Sequence, residues 1–148
     1  MEISFYHLTK QPLNVALPKL LGKVIEAKMK AVIKVPNKAQ MDDVDQTLWT
    51  FDKASFLAHD TEKSDFKEDQ PIYITTSEEN PNNAEVLVLT DGVEPGSLES
   101  YKRVLEMFDG NNPTAVEKAR ERWTSYKNDG HDLTYWQQTD TGGWNKKA

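Results

Sequence analysis

The sequence of 148 residues contains no cysteine, and this absence excludes a disulfide scaffold, a thiol nucleophile and a thiolate zinc site. Long apolar runs are absent too: the run at residues 86–89 is among the longest, whereas a membrane-spanning helix needs about 20 apolar residues. The N-terminus has neither the basic start nor the apolar stretch of a secretory signal. We therefore expect a soluble, cytoplasmic protein whose length suits one domain with a substantial core.

Glycine-rich phosphate-binding motifs are also missing. The sequence contains neither G-x-G-x-x-G nor G-x-x-x-x-G-K-[ST], and the turn at residues 8–12, after the first predicted strand, has no glycine. Without glycine, the backbone at this turn cannot approach a phosphate closely. We therefore expect no nucleotide cofactor, and a small nucleotide-dependent enzyme is the weaker alternative.

Histidine is scarce, with three residues in the chain. His7, His59 and His131 lie far apart in the sequence, so no two of them have the spacing of a helical or hairpin metal chelate. Asp60 follows His59 and would suit an oriented general base, but an ordinary histidine at the end of a strand is the better interpretation. The residues thus predict neither a metal site nor a catalytic group.

Basic residues are outnumbered by acidic ones, 18 to 24, and the charge is distributed unevenly. Residues 1–41 carry seven lysines and two glutamates, whereas residues 42–109 carry seventeen acidic and five basic residues. Residues 110–148 are close to neutral. Because an acidic protein is poorly suited to bind a phosphate backbone, we expect contact with DNA to be indirect.

Hydrophobic periodicity predicts strands that alternate with helices. Alternation along the chain predicts strands at residues 3–8, 30–35, 55–58, 71–75 and 85–89. Apolar residues at three- and four-residue steps predict helices at residues 13–27, 37–49 and about 113–127. This order indicates an α/β sandwich with a largely parallel sheet that helices cover on both faces.

Three segments are less regular. The charged, aperiodic residues 60–70 predict a surface loop. Residues 101–108 fit either a helix or a strand. Residues 139–148 predict a mobile C-terminal tail, which follows a single domain at residues 1–138.

Two groups of aromatic and charged residues are candidates for binding. On the last predicted helix, Arg120 and Lys127 are seven residues apart, with Trp123 and Thr124 between them. An arginine beside an aromatic ring suits a carboxylate ligand that carries an apolar group, because the guanidinium can bind a carboxylate bidentately. The alternative is that Trp123 belongs to the core and that the cations are solvated. Trp49, at the end of an acidic helix, is either at the edge of the core or an interface anchor.

Five short pieces of sequence resemble the chi subunit of bacterial DNA polymerase III holoenzyme. They are Phe5-Tyr6, Leu48-Trp49-Thr50, Ser55-Phe56-Leu57-Ala58-His59, Ala119-Arg120-Glu121-Arg122-Trp123 with Tyr126, and Gly130-His131 with Thr134-Tyr135-Trp136-Gln137-Gln138. The resemblance covers essentially the full chain. It implies a three-layer, Rossmann-like α/β fold without a nucleotide site, and it implies a strand at residues 102–108.

The resemblance also implies a non-catalytic role in DNA replication. Subunits of this family couple the clamp loader to single-stranded DNA-binding protein, whose acidic C-terminal tail ends in Pro-Phe. They also dock psi, a small clamp-loader partner, or a repair helicase. A general protein-interaction module that shares only the fold is the alternative, as is a partner of a repair helicase without a clamp-loader role.

By position, the resemblance places the tail-binding site on Arg120, Trp123, Thr124 and Lys127. Arg120 would meet the terminal carboxylate, and Trp123 takes the place of a family tyrosine that lines the pocket for the phenylalanine of the tail. Val116 and Thr124 stand where the best-known branch of the family has lysines. We therefore expect the affinity for the tail, or its pose, to differ from that branch.

The resemblance places a second surface on Trp49 and Phe56, which correspond to the pair that docks the psi subunit or the helicase. Both aromatic residues are retained in this chain. The resemblance leaves open which of these two partners this chain binds.

Overall fold

The computed structural model describes residues 2–10, 12–50, 59–61, 71–90, 93, 96, 98, 100–141 and 143–147. In these residues, three helices and eight strands follow one another along the chain. They are β1 (Glu2–Leu8), α1 (Leu13–Glu26), β2 (Ala31–Lys34), α2 (Lys38–Thr50), β3 (His59–Thr61), β4 (Ile72–Thr75), β5 (Val86–Thr90), β6 (Arg103–Asp109), α3 (Pro113–Asn128), β7 (Asp132–Gln138) and β8 (Trp144–Lys146).

The described strands form one sheet in the order β3-β4-β2-β5-β6-β1-β7-β8. Every neighbouring pair is parallel except β7 and β8, which are antiparallel. The helices lie on crossover connections between parallel strands of the sheet: α1 between β1 and β2, α2 between β2 and β3, and α3 between β6 and β7. The carboxyl ends of the parallel strands meet at one edge of the sheet, where β1 ends at Leu8 and β6 ends at Asp109.

Two hydrophobic cores lie on opposite faces of the sheet, because side chains along a strand alternate between the faces. In β1, Tyr6 and Leu8 point to the core that α1 and α2 cover, whereas Ile3 and Phe5 point to the core under α3. The central strands are buried on both faces, and β5 is buried throughout. The structure therefore confirms the predicted three-layer α/β sandwich with a mostly parallel sheet.

The structure shows which element the ambiguous residues 101–108 form, and it corrects the start of the loop predicted at residues 60–70. Residues 103–109 form strand β6, as the resemblance implied. Asp60 and Thr61 were expected to open a surface loop, but they lie in β3 and pair with β4, so this part of the prediction was wrong. Residues 62–70 and the predicted strand at residues 55–58 lie outside the described residues.

Strands β7 and β8 were not predicted from periodicity. In β7 the described residues before Gln138 are half-buried or exposed, so apolar and polar residues do not alternate clearly. β8 lies within the segment expected to form a tail. Its Trp144 packs edge-on against Tyr6 with ring centroids 5.1 Å apart, and the amide of Lys147 donates to the Tyr135 carbonyl at 2.7 Å. The domain boundary at residue 138 stays a prediction.

None of the helices found in the described part of the chain is both long and apolar enough to cross a membrane.

Candidate functional site

Helix α3 carries the four residues predicted to bind a peptide tail. It begins after Asn112, whose side chain accepts hydrogen bonds from the amides of Thr114 at 3.0 Å and Ala115 at 3.4 Å. This N-cap satisfies two amides that have no partner inside the helix. The helix then packs on β6 and β7 with Ala119 and Tyr126 buried against the sheet.

The helical periodicity that buries Ala119 and Tyr126 leaves the predicted polar residues exposed. Arg120, Thr124 and Lys127 all face solvent. The hydroxyl of Thr124 donates back to the Arg120 carbonyl at 3.2 Å, so its hydrogen is used within the helix. Lys127 lies about 10 Å from Arg120 along the helix axis, since each residue adds about 1.5 Å. The structure thus brings these three residues to the solvent side of α3.

Trp123 lies between the core and the exposed face of α3. It is half-buried and packs against the core under α3. Its ring meets Phe5 edge-on with centroids 5.4 Å apart and Tyr135 edge-on with centroids 5.8 Å apart. Such geometry suits aromatic quadrupoles and stabilises each pair by about 0.5–1.5 kcal/mol. Trp123 is therefore a fixed core residue that still presents part of its surface beside Arg120.

An aromatic cluster forms the floor beneath this part of α3. Phe5 is fully buried at its centre and touches every other member. Phe5 stacks on Tyr135 with an interplanar angle of 12° and meets the remaining rings at steeper angles. The members of this α3-side aromatic cluster are Phe5, Phe108, Trp123, Tyr126 and Tyr135. Of these rings, Phe5, Phe108 and Tyr126 are buried, so a ligand on α3 would meet the partly exposed rings of Trp123 and Tyr135.

His7 adjoins this cluster at the carboxyl end of β1. Its ring lies 5.1 Å from the ring of Phe108, and its Nδ1 is hydrogen-bonded to the Tyr135 hydroxyl. The ring also lies directly on Gly110, where a Cβ would overlap the imidazole and come within 2.6 Å of the Leu8 carbonyl oxygen. Gly110 is thus a position where the close approach of a side chain requires glycine.

Sequence reasoning did not assign His7 or Tyr135 to any site. His7 was set aside because no other histidine lies at chelating distance in the sequence. Its partner Tyr135 is 128 residues away, so no local pattern could reveal the pair. Parallel pairing of β1 with β7 places them together, since Phe5 is opposite Tyr135 and His7 opposite Gln137.

The charge of Arg120 acts on both members of this pair. Burial lowers the pKa of His7 below 6.5, and Arg120 lowers it further, whereas Gly110 and Asp109 oppose the shift. Burial raises the pKa of the Tyr135 phenol, and Arg120 opposes that rise. The guanidinium of Arg120 is thus close enough to His7 and Tyr135 for its charge to act on both pKa values.

Replacement of Arg120 by alanine is expected to raise the pKa of His7 toward its ordinary value, because one of the two causes that lower it is removed. The pKa of Tyr135 is expected to rise as well. Titration of the His7 ring by NMR in both proteins measures the first shift. Lys127→Ala provides the matched control, since it removes a cation from the same helix that does not contribute to either pKa. An unchanged pKa of His7 in Arg120→Ala would contradict this position of the guanidinium.

Arg122, two residues after Arg120, has a structural partner. Its Nε forms an ion pair with Glu106 Oε1 under α3, where the side chain of Glu106 is 2% exposed and that of Arg122 is 13% exposed. By contrast, no carboxylate of the described residues forms an ion pair with Arg120. Of these two arginines, Arg120 is the one that can bind a carboxylate from outside.

The second predicted surface is less fully described. Trp49 belongs to the last turn of α2, and Phe56 lies outside the described residues. Helix α2 contributes Met41, Val44 and Leu48 to the core on the face of the sheet opposite α3. The backbone of Trp49 and the residues of the Arg120 face are therefore on different sides of the molecule. Within the described residues, no group of three or more potential metal ligands occurs.

Comparison with known proteins agrees with the sequence resemblance. Residues 1–134 match the family model described as DNA polymerase III chi subunit, HolC. The chain belongs to this family. A probable DNA polymerase III subunit chi from Rickettsia prowazekii is 29% identical over 107 residues, which are 72% of this chain and 65% of that protein. The DNA polymerase III subunit chi of Pseudomonas aeruginosa is 24% identical over 115 residues, which are 78% of this chain and 79% of that protein.

Membership in the chi family accounts for an α/β sandwich that lacks glycine-rich loops. The family model describes its members as chi subunits of DNA polymerase III, and both relatives carry that name. The match with the Rickettsia protein spans just under two thirds of that relative's length.

Proposed function

We propose that this chain is a non-catalytic, cytoplasmic subunit that links the clamp loader to single-stranded DNA-binding protein by binding its acidic C-terminal tail. The proposal rests on one observation above all. Arg120 is exposed and without a carboxylate partner among the described residues, and it lies three residues before Trp123 on the same helix. Residues three apart on a helix are neighbours, so a cation and a partly exposed indole adjoin each other.

This pair matches the chemistry of a tail that ends in Pro-Phe. Such a tail offers a terminal carboxylate and an aromatic ring within one residue, preceded by several acidic residues. The guanidinium of Arg120 can bind the carboxylate with two parallel hydrogen bonds, and Trp123 supplies an aromatic surface for the ring. In this proposal the surface of α3 beside Trp123 binds both anchors.

Charge explains how an acidic protein can recruit an acidic peptide. Lys127 adds a second exposed cation to the Arg120 face of α3. Such charges attract the tail over about 8–10 Å at physiological ionic strength, and salt screens them. The net charge of −6 meanwhile disfavours direct binding to DNA. Contact with DNA is then indirect, through the protein that carries the tail.

Fluorescence anisotropy tests this function. A labelled acidic peptide that ends in Pro-Phe is titrated with the full chain at about 50 and 200 mM salt, which changes the screening of surface charges. The matched control peptide lacks the final phenylalanine. Binding that weakens with salt and is lost with the phenylalanine supports the proposal. Absence of binding at high micromolar protein at the lower salt concentration would refute it.

The Trp49 and Phe56 surface is proposed to dock the second partner, a psi subunit of the clamp loader or a repair helicase. The backbone of Trp49 lies in α2, on the opposite face of the sheet from α3. A single subunit could therefore hold both partners without competition between them.

Trp49→Ala is expected to weaken docking to that second partner while the affinity for the tail peptide stays unchanged, because the backbone of Trp49 and helix α3 lie on opposite faces of the sheet. Pull-down of the purified partner and anisotropy with the peptide, on the same protein preparation, measure the two affinities. A parallel loss of both would indicate general unfolding and contradict the separation of the two surfaces.

A further inference from the structure

Two half-buried polar side chains, His7 and Tyr135, adjoin the Arg120 face of α3. They come from neighbouring parallel strands, and the Tyr135 hydroxyl is hydrogen-bonded to Nδ1 of His7. The Tyr135 ring lies 5.8 Å from that of Trp123, centroid to centroid. Both side chains also respond to the charge of Arg120. The phenol of Tyr135 thus belongs to a ring in contact with the indole to which the peptide tail is assigned, and the imidazole of His7 is hydrogen-bonded to that phenol.

We infer that Tyr135 is a second carboxylate-binding group of this site and that His7 is its positioning residue. The phenolic hydroxyl donates a hydrogen bond to the terminal carboxylate of the acidic peptide, next to Arg120. This inference rests on the proposed function, since it concerns the same peptide and the same helix. It gives the site a polar group that is not a cation, a group that Val116 and Thr124 on α3 do not supply.

Val116 cannot donate a hydrogen bond to the carboxylate of the peptide. It is half-buried and packs against the core under α3, so its side chain serves the fold. The hydroxyl of Thr124 is already donated to the Arg120 carbonyl. Tyr135 is different, because its hydroxyl hydrogen is shared with a titratable imidazole and can be redirected.

The hydrogen bonds of His7 determine where the Tyr135 hydrogen points. In the neutral tautomer that carries its hydrogen on Nε2, His7 accepts the phenolic hydrogen of Tyr135 at Nδ1. When His7 takes up a proton from solvent at Nδ1, that N–H donates to the phenolic oxygen instead. The Tyr135 hydrogen is then free to point at a carboxylate.

The charges that face His7 give the sign of a proton linkage. The charged groups are Arg120 on α3 and Asp109 at the end of β6, and the neutral phenol of Tyr135 on β7 is the titratable group hydrogen-bonded to His7. In the free protein, burial and Arg120 hold the pKa of His7 below 6.5. A bound carboxylate neutralises Arg120 and adds a negative charge, so the pKa of His7 is higher in the complex than in the free protein. Binding therefore takes up a proton and tightens as the pH falls.

The increase in peptide affinity can be measured in a range of pH in which the peptide itself does not titrate. Between about pH 7.5 and 5.5 the carboxyl groups of the peptide stay ionised, since their ordinary pKa values are about 3.3–4.3. The proton uptake in that range then belongs to the protein. Of its three histidines, His7 is the one that lies beside Arg120 and Tyr135 in the described residues.

Three variants and two peptides test the inference by anisotropy across that range of pH. Tyr135→Phe keeps the ring and removes the hydroxyl. We expect it to weaken binding roughly tenfold at the acidic end of that range, where His7 is protonated, through the loss of one hydrogen bond to a charged group. Tyr126→Phe is the matched control, because Tyr126 belongs to the same aromatic cluster but is 6% exposed, and we expect it to bind like the unsubstituted protein. His7→Asn keeps an uncharged acceptor for the hydroxyl but cannot titrate, and its binding should no longer tighten at low pH.

The second peptide has an amide in place of the terminal carboxylate. We expect it to bind weakly to the unsubstituted protein and no more weakly to Tyr135→Phe, because the hydroxyl then has no carboxylate to meet. If the carboxylate peptide binds Tyr135→Phe as tightly as the unsubstituted protein, the inference is wrong and the proposed function stands. If the pH dependence survives in His7→Asn, the role of His7 is wrong. If the unsubstituted protein does not bind the carboxylate peptide, the proposed function fails, and this inference fails with it.

Discussion

Truncation of Arg122 to alanine is expected to lower the free energy of unfolding by about 3–5 kcal/mol, because it removes the guanidinium that pairs with the buried carboxylate of Glu106. Glu106 lies in the middle of β6, between β1 and β5, with its side chain 2% exposed. Urea denaturation, analysed with the slope of the transition as a check on two-state behaviour, measures the change.

The matched control for that measurement is Arg120→Ala, which removes the same side chain two residues away on the same helix. Arg120 is exposed, so the free energy of unfolding should change by less than about 0.5 kcal/mol. The double variant Glu106→Leu with Arg122→Met should recover most of the loss, since apolar residues of similar size often replace a buried ion pair without cost. A larger loss for Arg120→Ala than for Arg122→Ala would mean that the two arginines have been assigned the wrong way round.

The second large effect is expected in binding. Arg120→Ala should weaken the affinity for a peptide that ends in Pro-Phe by about 30- to 100-fold, since it removes two charge-assisted hydrogen bonds from the terminal carboxylate. Arg120→Lys keeps the charge but loses the planar fork, and we expect an intermediate affinity. Lys127→Ala should cause a smaller loss, confined to low salt, because Lys127 attracts the acidic residues of the tail without binding its end. Anisotropy titrations at two salt concentrations distinguish these three outcomes, and equal losses in Arg120→Ala and Lys127→Ala would contradict the role given to Arg120.

The α/β sandwich could be predicted from the sequence because its buried strands and amphipathic helices carry strong periodic signals. Strand β6 shows where such signals stop. Its apolar residues at positions 104, 105, 107 and 108 fit a helix as well as a strand, and the charge between them, Glu106, looks like a surface residue. Only the tertiary structure shows that Arg122 neutralises this carboxylate from the facing helix. The family resemblance predicted strand β6, whereas periodicity could not distinguish this strand from a helix.

The candidate site was predictable to the extent that it lies on one helix. The spacing of Arg120, Trp123 and Lys127 is visible in the sequence, and all three lie on α3 as that spacing predicts, with Trp123 half-buried. The spacing could not decide whether Trp123 belongs to the core or to a binding surface, because a half-buried ring packs in the core and also exposes part of its surface. The contact of His7 with Tyr135 depends on the pairing of β1 with β7, two strands near opposite ends of the chain, so sequence patterns contain no sign of it.

The most direct test of the proposed site is to locate the peptide on the protein by NMR. The four tryptophans give four indole N–H signals, and a titration with the Pro-Phe peptide should move the signal of Trp123 most, together with the backbone amides of Arg120 and Thr124. The signal of Trp49, on α2, should stay in place. Shifts centred on Trp49 and α2 with an unmoved Trp123 would contradict the assignment of the tail to the Arg120 face of α3.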